Sequence, residues 1–276
     1  MKTINTYILE KLQLGKKLAK SNSNNYEYFP ESKTELEQII YNITKHHKSN
    51  KIIDLNMIDT SKITDMSELF SGTKYASSYV YDISRWNVSK CEDFSYMFYN
   101  NKNIETLDLS EWKLSTTCHH IEMFGMFANC TNLKTVIGLE NWDTKKVSRI
   151  SRMFSDCEKL ENIDISTWNM SFATQFEGVF VNCENLKSIG DISGWDVSNV
   201  FWMQQMFYKC KNLKSIGDIS NWNLTRMRKH GDVSEMFYEC TNLTGLGDLD
   251  KWKLNKTNTK ITKMLAKTKI QKPYWY

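Results

Sequence analysis

The residues best suited to metal or nucleophilic chemistry are seven cysteines and two histidine pairs. Cys118-His119-His120 could offer a thiolate and imidazoles to a transition metal, and His46-His47 forms a second pair. A zinc site needs several ligands converging on one small tetrahedron, and adjacent residues rarely point at one ion. No acid or Cys stands at helical spacing to complete either set. We therefore expect surface loops at both places and no metal site.

The other cysteines form a regular column. Cys130, Cys157, Cys183, Cys210 and Cys240 recur at intervals of 26 to 30 residues. Residues one repeat apart would lie above one another at strand-like separations of about 5 Å. Five residues in line make a row and not a ligand cluster, so we expect buried thiols that pack as small apolar groups.

An acidic column could serve binding. Its members are Asp82, Asp108, Asp164, Asp191, Asp218 and Asp248, and a hydroxyl follows two residues later in most turns, as at Ser166, Ser193 and Ser220. Each Asp precedes an inward-facing strand residue and should therefore point outward. One interpretation is a binding strip for a basic or hydroxyl-rich partner or for cations. The other, which recurrence in nearly every turn favours, is that each Asp accepts hydrogen bonds from backbone N–H groups at the bend before a Trp.

The sequence contains no recognisable catalytic set. It has no glycine-rich phosphate loop, no His-Glu-x-x-His motif, and no Ser or Cys with an assignable base. We expect no enzyme activity, no catalytic residues and no cofactor.

Internal repeats must position all of these residues. A Met-Phe-like pair recurs eight times, its second member at residues 70, 98, 127, 154, 180, 207, 237 and 265. A Trp recurs in the same rhythm at residues 86, 112, 142, 168, 195, 222 and 252. Each of the five column cysteines is followed three residues later by Leu. Independent columns with one period indicate a stack of similar turns, in which each turn buries its apolar face against its neighbours.

Within one repeat the apolar period changes. Ile163 and Ile165 alternate with polar neighbours, as in a half-buried strand, whereas Val200, Met203, Met206 and Phe207 have helical spacing. The pattern predicts an α/β repeat solenoid of the leucine-rich-repeat type. It would have about eight turns of roughly 27 residues, each with one short strand and one short helix, and a parallel sheet on one face. An extra glycine near the strand in four turns, at residues 138, 190, 217 and 247, indicates a bulge or tight bend.

The unit Met-Phe-x-x-Cys-x-Asn-Leu, followed by Asp-Ile-Ser-x-Trp-Asp/Asn-Val and Val-x-x-Met, resembles the BspA-type leucine-rich repeat. Residues 206–213 and 191–203 are good copies, and the resemblance covers roughly residues 52–265. It implies a curved solenoid used in adhesion and protein recognition, without enzyme activity or cofactor. Residues 4–12 resemble short leader segments on proteins of tailed phages from gut bacteria, which would favour a phage protein.

Four regions are predicted along the chain: a basic amphipathic leader (1–20), an N-terminal capping helix region (21–51), the solenoid (52–255), and a C-terminal cap with an aromatic tail (256–276). Ser32 should begin the first capping helix, with Glu35 three residues later. Residues 256–269 can form a closing helix. Trp202, Tyr274, Trp275 and Tyr276 lie outside the repeated columns and are candidate partner contacts.

Charge and hydropathy narrow the classes of partner. Residues 251–276 contain eight Lys and no acid, whereas residues 21–250 contain 23 basic and 31 acidic groups. No interior basic stripe with interleaved aromatics indicates nucleic-acid binding, and no apolar run could span a bilayer. We expect a protein partner and, because no signal peptide is recognisable, a cytoplasmic or virion-associated protein. Two alternatives stay open: a phage structural or cargo protein attached through its leader, and an adhesin for glycans or host surfaces.

Overall fold

The computed structural model describes residues 26–45, 52–72 and 80–276. Its one long helix, α1 (Lys33–Thr44), begins after Ser32, whose hydroxyl accepts a hydrogen bond from the Glu35 N–H. Leu36, Ile39 and Ile40 of α1 are buried in the core, and Lys33 Nζ lies 3.0 Å from Asp65 Oδ1 in the first turn. The predicted N-terminal helix is therefore confirmed, and it packs against the first turn.

Successive repeats pair in parallel at two positions, which we call the first and second ladders. The first ladder runs through the Asp column. It contains β1 (Ile53–Asp54) paired with β2 (Tyr81–Asp82), and β3 (Thr106–Asp108) paired with β5 (Thr135–Ile137). An isolated bridge between Asn162 and Ser188 continues it.

The second ladder was not predicted, because only one strand per turn was expected. It contains β4 (Ile121–Glu122) paired with β6 (Val147–Arg149). Single parallel bridges extend it in both directions, joining residues 65, 93 and 122 at one end and residues 149, 175, 202, 232 and 260 at the other. The prediction of a parallel sheet on one face alone is therefore wrong.

The predicted short helix in each repeat is also wrong. Between Met203 and Cys210 the backbone N–H groups alternate in their bonding. Four of them donate to carbonyls of the next turn, namely Met203 to Asp232, Gln205 to Ser234, Phe207 to Met236 and Lys209 to Tyr238. From Met206 on, the alternate N–H groups donate instead to the carbonyl three residues back in the same turn, as Met206 does to Met203. Gln205 and Lys209 have φ of 58° and 60°, which a right-handed helix does not allow. Consecutive tight turns thus bury the same positions that a helix would bury.

Helical structure is sparse in the rest of the described chain. α2 (Met227–His230) is one turn long, and Leu139–Asn141 and Leu249–Trp252 are short 3-10 helices. Residues 256–269 form turns, so the predicted closing helix is wrong as well. In the described residues, no helix combines the length and the apolar character needed to cross a bilayer.

Aromatic rows fill the interior. Phe98, Phe127, Phe154, Phe180, Phe207 and Phe237 stack at centroid distances of 5.1 to 5.6 Å. The Trp row stacks in the same way, at 6.1 to 6.5 Å for the pairs 112–142, 142–168, 168–195 and 222–252. Each of six of these Trp residues donates its Nε1–H to a backbone carbonyl of the preceding turn. These six Trp side chains are thus fixed by both packing and a directional bond.

The chain end completes the Trp row. Trp275 is 7% exposed, stacks on Trp252 at 6.4 Å and donates its Nε1–H to the Leu249 carbonyl. The prediction of Trp275 as a partner contact is wrong, because the tail folds back on the last turn, as expected of a C-terminal cap, and supplies the last rung. Tyr276 is half-buried and its hydroxyl accepts from the Leu265 N–H, whereas Tyr274 is 75% exposed.

Candidate recognition surface

The Asp column has a defined local geometry. In each of its six turns one carboxylate oxygen accepts the N–H of the residue two positions later, at 2.9 to 3.1 Å. In two turns the Ser hydroxyl donates to the same oxygen, as Ser166 does to Asp164 at 2.7 Å. Each Asp therefore closes the bend that leads to the Trp of its turn. The hydrogen-bonding interpretation of the column is confirmed.

Three glycines lie against the same carboxylates. A Cβ placed on Gly190, Gly217 or Gly247 would fall within 2.4 Å of the Oδ1 of the Asp in the preceding turn. All three have positive φ, at 81°, 88° and 77°. The glycine predicted to mark a bulge thus serves two purposes here, because it adopts the left-handed conformation and leaves room for the carboxylate.

These hydrogen bonds also lower the pKa of carboxyl groups in the column. The Ser166 hydroxyl and N–H hold the pKa of Asp164 below its usual value. The Ser193 N–H and hydroxyl do the same for Asp191, although Asp218 in the next turn opposes this slightly. The side chains of Asp164, Asp191 and Asp218 are solvent-exposed. Of the predicted hydroxyls, Ser166 is half-buried and Ser193 exposed, but Ser220 is 2% exposed and so is not on the surface.

The Cys column lies inside the stack. Each of the five thiols donates to the carbonyl of a Phe in the preceding turn, at 2.9 to 3.1 Å. Burial raises the pKa of Cys130 to about 12, so these thiols stay protonated and unreactive. Cys118 is buried, whereas His119 and His120 are exposed, which separates the members of the one metal-like trio within the described chain. His46-His47 and the leader (1–20) lie outside the described residues.

Side chains of the second ladder differ from turn to turn. From the first turn to the last the paired position is occupied by Asp65, Asp93, Glu122, Arg149, Gln175, Trp202, Asp232 and Lys260. Cross-turn backbone hydrogen bonds build this ladder, so its outward side chains are free to vary. Where the residue is Asp, as at 65, 93 and 232, its carboxylate accepts the N–H of the Ser two positions later, as in the first ladder. The other turns keep the ladder without an Asp at this position.

An aromatic and basic cluster lies in the middle of the second ladder. Trp202 is 44% exposed, and its ring centroid lies 6.5 Å from that of Phe201. The Arg226 guanidinium lies over the Phe201 ring at 5.0 Å. Phe172 of the preceding turn is also 44% exposed, and its chain neighbour Ser171 accepts a hydrogen bond from Asn199 of the Trp202 turn. We call these four residues, Phe172, Phe201, Trp202 and Arg226, the Trp202 patch.

A second cation–aromatic contact lies two turns earlier. The Arg149 guanidinium is 3.9 Å from the Phe124 ring centroid, and Phe124 makes an edge contact with Tyr96 at 5.0 Å. Sequence reasoning identified Trp202 as a candidate contact but missed its neighbours. The signal that could have found them is the departure of single turns from the repeat: Phe201 stands where the other turns carry no aromatic residue, as at Glu92, Ser148 and Thr174.

Comparison with protein families places the chain in a repeat-type family. The profile described as "Mycoplasma protein of unknown function, DUF285" matches twice, over residues 34–135 and 161–274. These segments cover most of the chain, which therefore belongs to this family. Searches of curated proteins and of solved structures give no match.

Proposed function

We propose that this chain is a non-enzymatic protein-recognition scaffold: a leucine-rich-repeat solenoid of the BspA type that binds a protein partner through the Trp202 patch. The observation that carries the proposal is the exposure of Trp202 at a position where seven other turns have charged or amide side chains. Because those turns form the same ladder without an aromatic residue, the ladder itself does not require one.

The chemistry of the patch suits protein recognition. Trp and Arg are enriched among residues that dominate binding energy, since both offer large contact area with directional polar groups. Arg226 above Phe201 keeps its charge near an apolar surface, where it can pair with a partner carboxylate or stack on an aromatic ring. A partner surface that is apolar at its centre and acidic at its rim would complement this arrangement.

The solenoid assignment is supported by the sequence period and the bonding between turns. Parallel bridges join residues about 26 to 30 positions apart along the second ladder, and the aromatic rows follow the same spacing. A scaffold of this kind offers an extended surface on which each turn contributes a few side chains. The phage-particle and adhesin alternatives stay predictions, as does the cytoplasmic or virion location.

The test compares partner binding by two single variants. A partner captured by crosslinking in cells that express the chain is purified, and its affinity is measured by calorimetry for wild type, Trp202→Gln and Asp191→Asn. Gln is the residue at this position in the preceding turn, as Gln175, so the first variant should fold normally. We expect Trp202→Gln to weaken binding at least about tenfold and Asp191→Asn to leave it unchanged.

The opposite result would change the assignment. If Trp202→Gln binds like wild type while Asp191→Asn loses affinity without loss of thermal stability, the Asp strip is the recognition surface and the Trp202 patch is not. Loss of binding in neither variant would contradict both interpretations.

A further inference from the structure

In the last turn of the second ladder, two backbone N–H groups have no acceptor among the residues that the structure describes. In the turn before it, the N–H groups of Val233 and Glu235 donate to the carbonyls of Lys260 and Thr262 at 2.8 and 2.9 Å. The equivalent donors in the last turn belong to Ile261 and Lys263. Within the described chain no acceptor is bonded to either N–H. This side of the last turn therefore offers two N–H donors, two residues apart, on consecutive tight turns like those of the preceding repeats.

The C-terminal tail closes only part of this edge. In the preceding turn Phe237 donates its N–H to the Met264 carbonyl. The equivalent N–H, that of Leu265, instead donates to the Tyr276 hydroxyl at 3.3 Å. The tail thus substitutes for a further turn at Leu265 and leaves the edge open before it.

The open part of the edge borders a basic cavity. Its volume is about 400 Å³, and its lining consists of Lys256, Thr259, Lys260, Ile261, Thr262, Lys263 and Tyr276. Residues 251–276 carry eight Lys and no acid. An occupant must therefore supply hydrogen-bond acceptors to two N–H groups and negative charge to three ammonium groups.

We propose that an acidic segment of a partner protein binds here as an additional rung of the second ladder. Carbonyls of the segment would accept from Ile261 and Lys263, as the carbonyls of Lys260 and Thr262 accept from the turn before. An acid opposite Lys260 would repeat the pairing within the stack, where Asp232 lies 4.0 Å from the Lys260 Nζ. The chain's own leader contains five Lys and one Glu, so its charge does not suit this role.

The strand is favoured over a small anion by the spacing of the donors. In the stack, alternate N–H groups of one turn bond to alternate carbonyls of the next turn. A peptide segment can offer two such carbonyls, whereas one phosphate or carboxylate would use a single point of the edge. This inference concerns the end of the stack and does not rest on the Trp202 patch.

The probe is a fluorescein-labelled peptide with the sequence of residues 231–235, which contains Asp and Glu and no base. Binding is measured by fluorescence polarisation at low salt. Two matched peptides serve as comparisons. One has (E)-alkene isosteres of the peptide bonds whose carbonyls belong to Asp and Ser, which removes the acceptors equivalent to those that Met203 and Gln205 use in the stack. The other has Asn and Gln in place of the acids. We expect saturable binding of the first peptide and at least about tenfold weaker binding of each of the others.

Protein variants locate the site. Lys260→Glu should weaken binding at least about tenfold, whereas Lys113→Glu, an equal charge change at an exposed lysine in a distant turn, should have little effect. Lys256→Gln provides a second variant at the cavity if Lys260→Glu lowers stability. The proposal is overturned by equal binding of the alkene peptide, by displacement with equimolar inorganic phosphate, or by no saturable binding up to about 1 mM peptide.

Discussion

Three alanine substitutions at glycine separate the two roles assigned to Gly217. Gly217 has φ of +88°, and an added Cβ would lie 1.8 Å from Asp191 Oδ1. Gly245 has φ of +72° but open space around its Cβ position. Gly194 has open space as well and does not have the positive φ of the other two. Gly217→Ala therefore introduces both a steric clash and backbone strain, Gly245→Ala introduces backbone strain alone, and Gly194→Ala introduces neither.

The expected magnitudes follow from these geometries. Left-handed backbone costs a residue with a Cβ about 1 kcal/mol, so Gly245→Ala should destabilise the protein by that amount. At Gly217 the carboxylate of Asp191 must also move, which breaks its 2.9 Å bond to the Ser193 N–H. Loss of that exposed hydrogen bond adds about 1 kcal/mol. We therefore expect about 2 kcal/mol for Gly217→Ala, and no loss for Gly194→Ala.

Urea unfolding followed by Trp fluorescence measures these free energies. The double variant Asp191→Ala with Gly217→Ala is the decisive control, because removal of the carboxylate removes the clash. The double variant should lose less free energy of unfolding, relative to wild type, than the sum of the losses in the two single variants. The reasoning is refuted if Gly217→Ala unfolds at the same urea concentration as Gly194→Ala, or if the two changes are simply additive.

Three further predictions concern the Trp row, the Cys column and the Asp column. Trp142→Phe should cost about 1 kcal/mol less than Trp168→Phe in urea unfolding, because Trp168 donates to the Leu139 carbonyl whereas the buried Trp142 Nε1 has no partner among the described residues; equal losses would contradict this. Cys130, with its raised pKa, should react with a thiol reagent at pH 8 only after unfolding, and rapid labelling of the native protein, located by peptide mass mapping, would show that the thiol is accessible. The pKa values of Asp164 and Asp191 are lowered in the fold, so their stabilisation is present above the usual value of 3.8 and should be lost as pH falls below it. The double variant Asp164→Asn with Asp191→Asn should therefore show a smaller fall in melting temperature between pH 5 and pH 3 than wild type. Equal falls in melting temperature for the two proteins would argue against this linkage.

The sequence was informative where one physical cause acts in every turn. The Trp, Phe and Cys columns were predicted as core because each turn must bury its apolar side against the next. The Asp column was interpreted through its bend, and the bonds to the N–H two residues later confirm that interpretation. In these cases a repeated residue reports a repeated contact.

The prediction of a short helix failed because two backbone conformations, a helix and a series of tight turns, bury residues at the same spacing. Val200, Met203, Met206 and Phe207 have the spacing of a helix face, but consecutive tight turns three residues long place the same residues inside. What distinguishes the two is the destination of alternate N–H groups, which bond to the next turn, and no side-chain periodicity reports that. For the same reason the second ladder was missed, together with the Trp202 patch on it.

The difference between the two ladders bears on function. In the first ladder a side chain closes the bend, so the same residue recurs whenever the bend recurs, and its presence implies nothing about a partner. In the second ladder three Asp residues make the same bond, but residues as different as Glu122 and Gln175 occupy the position in other turns, so the backbone there does not require one side chain. An exposed Trp at that position gains nothing from the ladder and leaves apolar surface in water, which a partner that covers it would remove. The places where this chain departs from its own repeat are therefore where recognition should be sought.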